Sequence, residues 1–208
     1  MLQEADSGPG NFSAPRTFIY KGMTFEPISF GYESVGVSTD SVDNLLKFIQ
    51  EYSRVGLVGP RLLTFTGEVQ NSCFRFPTLG AIIARRTFLG KLNWGRNKIK
   101  QFLISPGSDN QGYPVDWLQG SAMMARKAAI EKVGLLDESF FMYLEDADWC
   151  RRFWQNGWQV VYLPNAQMAH YYYRTSQKWG GLLDLFLNKY TRMHLMSAFK
   201  YFWKWRNV

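Results

Sequence analysis

The chain has 208 residues, 46% of them hydrophobic, which is enough apolar content to close one sizeable core and too much for a disordered chain. Its two cysteines, Cys73 and Cys150, form neither a C-x-x-C pair nor a Cys/His cluster, which excludes a zinc ribbon or disulfide framework and fits a reducing compartment. The net charge of +7 is uneven: residues 85–100 contribute +6 and residues 178–208 contribute +5, so the remainder is acidic at −4, which argues against a nucleic-acid groove and for local attraction to phosphates or anionic lipid.

The opening MLQEADSGPG carries acids and glycines where a signal peptide needs a basic patch and an apolar run. No stretch reaches the roughly 18 apolar residues of a membrane span, so the chain is expected to be neither exported nor spanning. Residues 1–37 show no sustained period and are expected to be irregular. From Ser38 onward, Ser38, Thr39 or Asp40 can cap a helix whose Val42, Leu45, Leu46, Ile49 and Tyr52 recur at helical spacing and are expected to face inward. Asp40 and Asp43 stand in a D-x-x-D cap and are not read as metal ligands. VGLVGPRLL, residues 55–63, reads as a buried strand stopped by Gly59-Pro60, and a second extended segment follows through Cys73. A short helix is predicted over Leu79 to Arg86. Residues 87–113 mix Gly, Asn, Lys and Pro and read as a long basic loop, a natural lid.

The segment VDWLQGSAMMARKAAIEKVG reads as a strand interrupted by Gly120, where a ligand can approach the backbone, and then a helix from about Lys127 that Gly134 ends with a positive φ. In LLDESFFMYLEDADWCRRFWQNGW, Glu145, Asp146 and Asp148 fall in the first turn of a helix stopped at Gly157. Trp149, Cys150, Phe153 and Trp154 make its apolar stripe, and its acids are expected to project from the end. WQVVYLP is predicted to be a strand ended by Pro164, with His170 beyond it.

VGLVGPRLL, VQNSCFRFPTL and VDWLQGSAMMARKAAIEKVGLLDESFFMYLEDADWCRRFWQNGWQVVYLPNAQMAH together resemble the second half of glycosyltransferase family 2, in its rhamnosyltransferase-like branch. The resemblance covers roughly residues 38–176 and is strongest over FFMYLEDADWCRR and GWQVVYLP. It implies an α/β chain with a partial GT-A fold, a mixed sheet flanked by helices that lacks most of the amino-terminal nucleotide-binding half. Residues 38–176 would be its acceptor side and residues 177–208 a basic aromatic helix. The implied reaction is inverting transfer of a sugar in cell-surface polysaccharide assembly. An acceptor hydroxyl attacks the anomeric carbon opposite the nucleotide, and a carboxylate takes the proton.

By resemblance that base is Asp146, with Glu145 orienting the acceptor or tuning the base. First-turn acids otherwise merely complement a helix dipole. The resemblance also implies acceptor contacts at Asp116, Trp117, Gly120, Ser121 and Asp148, and diphosphate contacts from Arg151 and Arg152. Against these stand a core tryptophan, a strand-end cap and arginines paired with Asp148. His170 would complete a site for Mg²⁺ or Mn²⁺, although a single histidine is more often simply packed. The implied partners are a nucleotide-sugar donor, dTDP-rhamnose foremost, and a saccharide or polyprenyl-diphosphate-linked acceptor. The expected location is cytoplasmic, on the inner face of the plasma membrane. The tail from Leu182 to Trp205 can lie in an anionic membrane interface or pack on the domain or a second subunit. No nucleotide-binding half is visible before residue 38. A truncated inactive fragment, a membrane-associated partner subunit and self-association therefore stand as alternatives to an active transferase.

Overall fold

A computed structural model describes residues 18–20, 23–30, 33–37, 39–64, 66–105, 111–171 and 189–207. The expectations for residues 1–17, for the end of the basic loop at 106–110 and for Leu182 to Leu187 lie outside the described residues.

The architecture is a mixed sheet flanked by helices, as the family resemblance implies. Its spine is a parallel pair, β4 (Val55–Leu63) and β9 (Gln159–Tyr171). Side chains alternate across that pair. Val58, Leu62, Val161 and Leu163 face α1 (Thr39–Glu51), where they bury Leu45 and Ile49. Leu57, Val160 and Tyr162 face the opposite way, onto Trp149, Cys150 and Phe153 of α5 (Glu145–Gln155) and Ala129 of α4 (Lys127–Val133). Covered on both faces, β4 reads as a nearly continuous apolar run. Of the inward face predicted for α1, Val42, Leu46 and Tyr52 are instead exposed, so the helix buries a narrower stripe.

Neither proline stops its strand. β4 continues through Pro60 to Leu63, and β9 continues through Pro164 to Tyr171. Pro60 pairs with Leu163 whereas Arg61 pairs with Gln167, so the ladder shifts register at that point. A residue without an N–H fits a bulge, where no ladder donor is needed. Ser41 secures the bulge from α1, accepting the Gln167 N–H at 3.0 Å and donating to the Gln167 carbonyl at 2.6 Å.

Residues 18–37, predicted to be irregular, contain β1 (Phe18–Tyr20), β2 (Met23–Phe30) and β3 (Glu33–Val37). These form an antiparallel meander that joins β9 through Ser34–Gly36. Pro27 and Gly36, which suppress strand propensity here, pair with each other across β2 and β3, where tertiary context overrides that tendency.

Strand β5 (Cys73–Phe74) pairs with β7 (Trp117–Leu118), β6 (Tyr113–Pro114) pairs with β9, and β8 (Met124–Ala125) pairs with β4. Helix α2 (Leu79–Arg86) spans the residues predicted, capped by Thr78, whose hydroxyl accepts the Ala81 N–H. The basic loop expected next is instead a 3₁₀ turn (Phe88–Lys91) and helix α3 (Asn93–Phe102). Gly95, Ile99 and Phe102 share one face of α3, a helical period hidden by the surrounding Lys and Asn. Phe102 stacks on Phe74 at 5.1 Å, which anchors the segment rather than freeing it as a lid. The last helix, α6 (Lys189–Lys204), lays Ala198 and Tyr201, with Trp205 just past its end, against Leu144 and Ala147.

Candidate active site

The chain enters α5 through a turn in which Tyr143 and Leu144 both adopt left-handed backbone, with φ of 71° and 66°. Neither is glycine, and each costs about 1–3 kcal/mol unless its surroundings hold it. Here they do. Leu144 is buried against Phe140, Ala198, Tyr201 and Trp205, and the Ser197 hydroxyl donates to the Met142 carbonyl at 2.6 Å. The strained turn swings Asp146 inward, toward the turn that follows β7.

Asp146 is only 8% exposed. Its Oδ2 accepts the Gly120 N–H at 2.8 Å, and its Oδ1 accepts the Ala147 N–H at 2.8 Å. Burial raises its pKa above the ordinary carboxylate range, while those two N–H groups oppose the shift. Gly120 therefore acts as the seat of this carboxylate: a Cβ there would lie 3.3 Å from the Asp146 Cβ and 3.4 Å from Oδ2. Glu145, partly buried, opens the helix.

The expectation that the first-turn acids project outward is corrected for Asp146 and Asp148, both of which turn into the protein. Asp148 is fully buried, and its Oδ2 meets the Arg152 Nε at 2.9 Å. Its Oδ1 receives the Lys204 ammonium at 2.8 Å and the Trp205 indole N–H at 3.0 Å. Arg152 also donates to the carbonyls of Val133 and Leu135, both at 2.8 Å, closing the end of α4. Arg151 lies over the Phe76 and Trp205 rings, 5.0 Å from each centroid, and donates to the Tyr201 hydroxyl at 3.2 Å. All three side chains brace α5.

On the β7 side, Asp116 accepts the Phe76 N–H at 3.1 Å and so caps the strand end. Trp117 is partly buried, 4.8 Å from the Phe74 ring, where three apolar clusters meet. The Ser121 hydroxyl accepts from the Gln119 side chain at 2.9 Å. Asp116, Trp117, Gly120 and Ser121 thus lie on one short segment that leads to the Asp146 carboxylate.

His170 lies elsewhere. It is within β9 rather than beyond a strand, 1% exposed, with Nδ1 3.0 Å from the Gln70 Oε1. The Gln70 amide donates back to the His170 carbonyl at 2.6 Å. Among the described residues no three His, Cys, Asp or Glu side chains gather to hold a cation. The supporting groups Ser197, Lys204 and Trp205 are invisible to local motif reading. The available signal was an acid, Asp148, in an otherwise apolar helix face that required cations from elsewhere.

A family model described as "Glycosyl transferase family group 2" matches residues 33–205, taking in everything from β3 to α6. The N-acetylglucosaminyl-diphospho-decaprenol L-rhamnosyltransferase of Mycobacterium tuberculosis is 35% identical over 133 residues, 63% of this chain and 42% of that protein. Rhamnosyltransferase WbbL of Escherichia coli is 30% identical over 163 residues, 76% of this chain and 56% of that protein. The low-salt glycan biosynthesis hexosyltransferase Agl10 of Haloferax volcanii is 45% identical over a shorter stretch of 47 residues, 23% of this chain and 15% of that protein. The chain spans about half the length of the two rhamnosyltransferases it matches. With most of its length matched by the family model, the chain belongs to glycosyl transferase family group 2.

Proposed function

We propose that this chain carries the acceptor-side chemistry of an inverting sugar transfer, with Asp146 as the general base. The observation that carries the reading is the setting of that carboxylate. It is buried, its proton affinity is raised by burial, and it is fixed by the backbone N–H groups of Gly120 and Ala147. In the reaction, the acceptor oxygen forms its bond to the anomeric carbon while the bond to the nucleotide diphosphate breaks on the opposite face. Asp146 takes the hydroxyl proton as that oxygen attacks. A raised proton affinity strengthens the base, and the two N–H contacts hold it in one orientation.

Glu145 orients the acceptor from the adjoining position. Asp116, Trp117, Gly120 and Ser121 form the acceptor's wall, with the Trp117 ring offering an apolar face to a sugar. Asp148, Arg151 and Arg152 act by bracing α5. The relatives' names support rhamnosyl transfer and, for the mycobacterial one, a diphospho-decaprenol-linked saccharide acceptor. By family resemblance, dTDP-rhamnose as the donor and cell-surface glycan assembly at the inner face of a membrane belong to this reading. A divalent cation belongs to this reading by family resemblance alone. His170 serves the sheet through Gln70, and no step above depends on a metal.

The test is transfer from dTDP-rhamnose to polyprenyl-diphosphate-linked N-acetylglucosamine, with nucleotide-sugar binding measured alongside. Asp146→Asn is expected to lower transfer about 10³-fold and leave donor binding unchanged. Near wild-type turnover in that variant, in an assembly whose wild-type form transfers, overturns the assignment.

A further inference from the structure

Helices α2 and α3 are about a hundred residues from α6 along the chain, yet the two regions meet in space. Ile82 of α2 packs into the cluster formed by Leu144, Ala147, Ala198, Tyr201 and Trp205. Both regions also leave large apolar side chains in solvent. Phe88, Leu92 and Trp94 are 70%, 51% and 48% exposed, and Met196, Phe199 and Trp203 are 63%, 69% and 60% exposed. Neither residues 79–102 nor residues 189–207 contain an acid, whereas both are rich in Lys and Arg.

We infer that these two elements form one docking surface for an anionic phospholipid membrane. The lysines among these bases, Lys91, Lys98, Lys100, Lys189 and Lys200, favour lipid phosphates over a protein partner, because the buried centres of protein interfaces are depleted in lysine. Aromatic rings bordered by bases suit the headgroup layer, where the rings sit among acyl chains and the cations reach lipid phosphates. Arg206 already shows that pairing, its guanidinium 4.3 Å from the Trp203 ring centroid. Among the described residues no helix is long and apolar enough to cross a membrane, and the contact these exposed side chains would make is a peripheral one. The surface shares its underlying cluster with the residues flanking Asp146, and a docked chain would present that carboxylate close to the bilayer. The inference rests on surface chemistry and requires no transfer activity.

The test is co-sedimentation of the full chain with vesicles of phosphatidylcholine, alone or mixed with phosphatidylglycerol, at low and high salt, without substrate. Binding is expected only with the anionic lipid and should weaken as salt rises. Lys91→Gln/Arg96→Gln is expected to reduce it about 25-fold, at about fivefold per charge. Phe88→Ser/Trp94→Ser and Phe199→Ser/Trp203→Ser are each expected to reduce it about tenfold or more. Unchanged circular dichroism and Tm in these variants, whose altered side chains are exposed, separates lost docking from lost folding. Equal binding to neutral vesicles, or an effect of the α6 variants alone, overturns the joint surface. A wild-type dimer that the serine variants dissociate, with no vesicle binding, assigns the face to a second copy of the chain instead.

Discussion

Asp146 and Gly120 lie 26 residues apart in sequence and touch through a single 2.8 Å hydrogen bond. Gly120→Ala places a methyl group 3.4 Å from the carboxylate oxygen, tight enough to displace it while leaving its chemistry intact. A misplacement of this kind is expected to cut kcat roughly 10–100-fold with KM for the donor little changed, as steady-state kinetics would show. Wild-type kcat in that variant would mean that the position of Asp146 is not what limits transfer. The sequence made Gly120 conspicuous, but as a place for a ligand to approach. That it receives a side chain of the protein itself is a long-range fact with no local signature. Asp146 was singled out only through its motif, because an acid in the first turn of a helix usually just complements the dipole.

Helix α5 is held at its start by α6, and the two bridges of Lys204 separate structural from incidental charge. Lys204 meets the buried Asp148 at 2.8 Å and the partly exposed Asp137 at 2.7 Å. Lys204→Met leaves Asp148 with Arg152 and the Trp205 indole but one cation short, and is expected to cost about 2 kcal/mol in denaturant unfolding. Asp137→Asn removes only the outer bridge and is expected to cost less than about 1 kcal/mol. Equal losses would mean that burial of Asp148 is not what gives the bridge its weight. Among the elements, α1, α2, α4 and α5 announced themselves through periodicity and caps. Helix α3 did not, because only Gly95, Ile99 and Phe102 mark its inner face and, Trp94 apart, polar and basic residues fill the rest. The prolines of β4 and β9 were misleading for the opposite reason: each reads locally as a stop, yet the two strands accommodate them at a shared break in register.

At the scale of the molecule, two carboxyls pull stability in opposite directions with pH. The Lys204 ammonium holds Asp137 well below the usual carboxylate range, so its contribution is present above the ordinary aspartate pKa and is lost as pH falls below it. Asp146 is raised by burial, so the folded state holds its proton more tightly than the unfolded chain does, and stability is lost as pH rises from the ordinary value toward the raised one. In thermal unfolding, Asp146→Asn is expected to gain on the wild type across that upper interval, and Asp137→Asn to flatten the acid limb. A constant difference between Asp146→Asn and wild type at every pH would show that Asp146 is not protonated preferentially in the folded state. The α/β class was legible, and the residues around Asp146 were singled out, because the family motifs sit on strongly patterned elements. The meander of β1 to β3 was not, since edge strands borrow their order from the strand they join. The β4–β9 pair also governs when the molecule can form. Its partners lie about a hundred residues apart, so closing this ladder is slow by its topology. A nascent chain that has emitted β4 waits with one edge open until β9 follows, and the buried Asp148 waits longer still for Lys204. The Asp146 end of α5 therefore lacks its full support during synthesis until α6 has followed it, and in that interval the chain is exposed to misassembly.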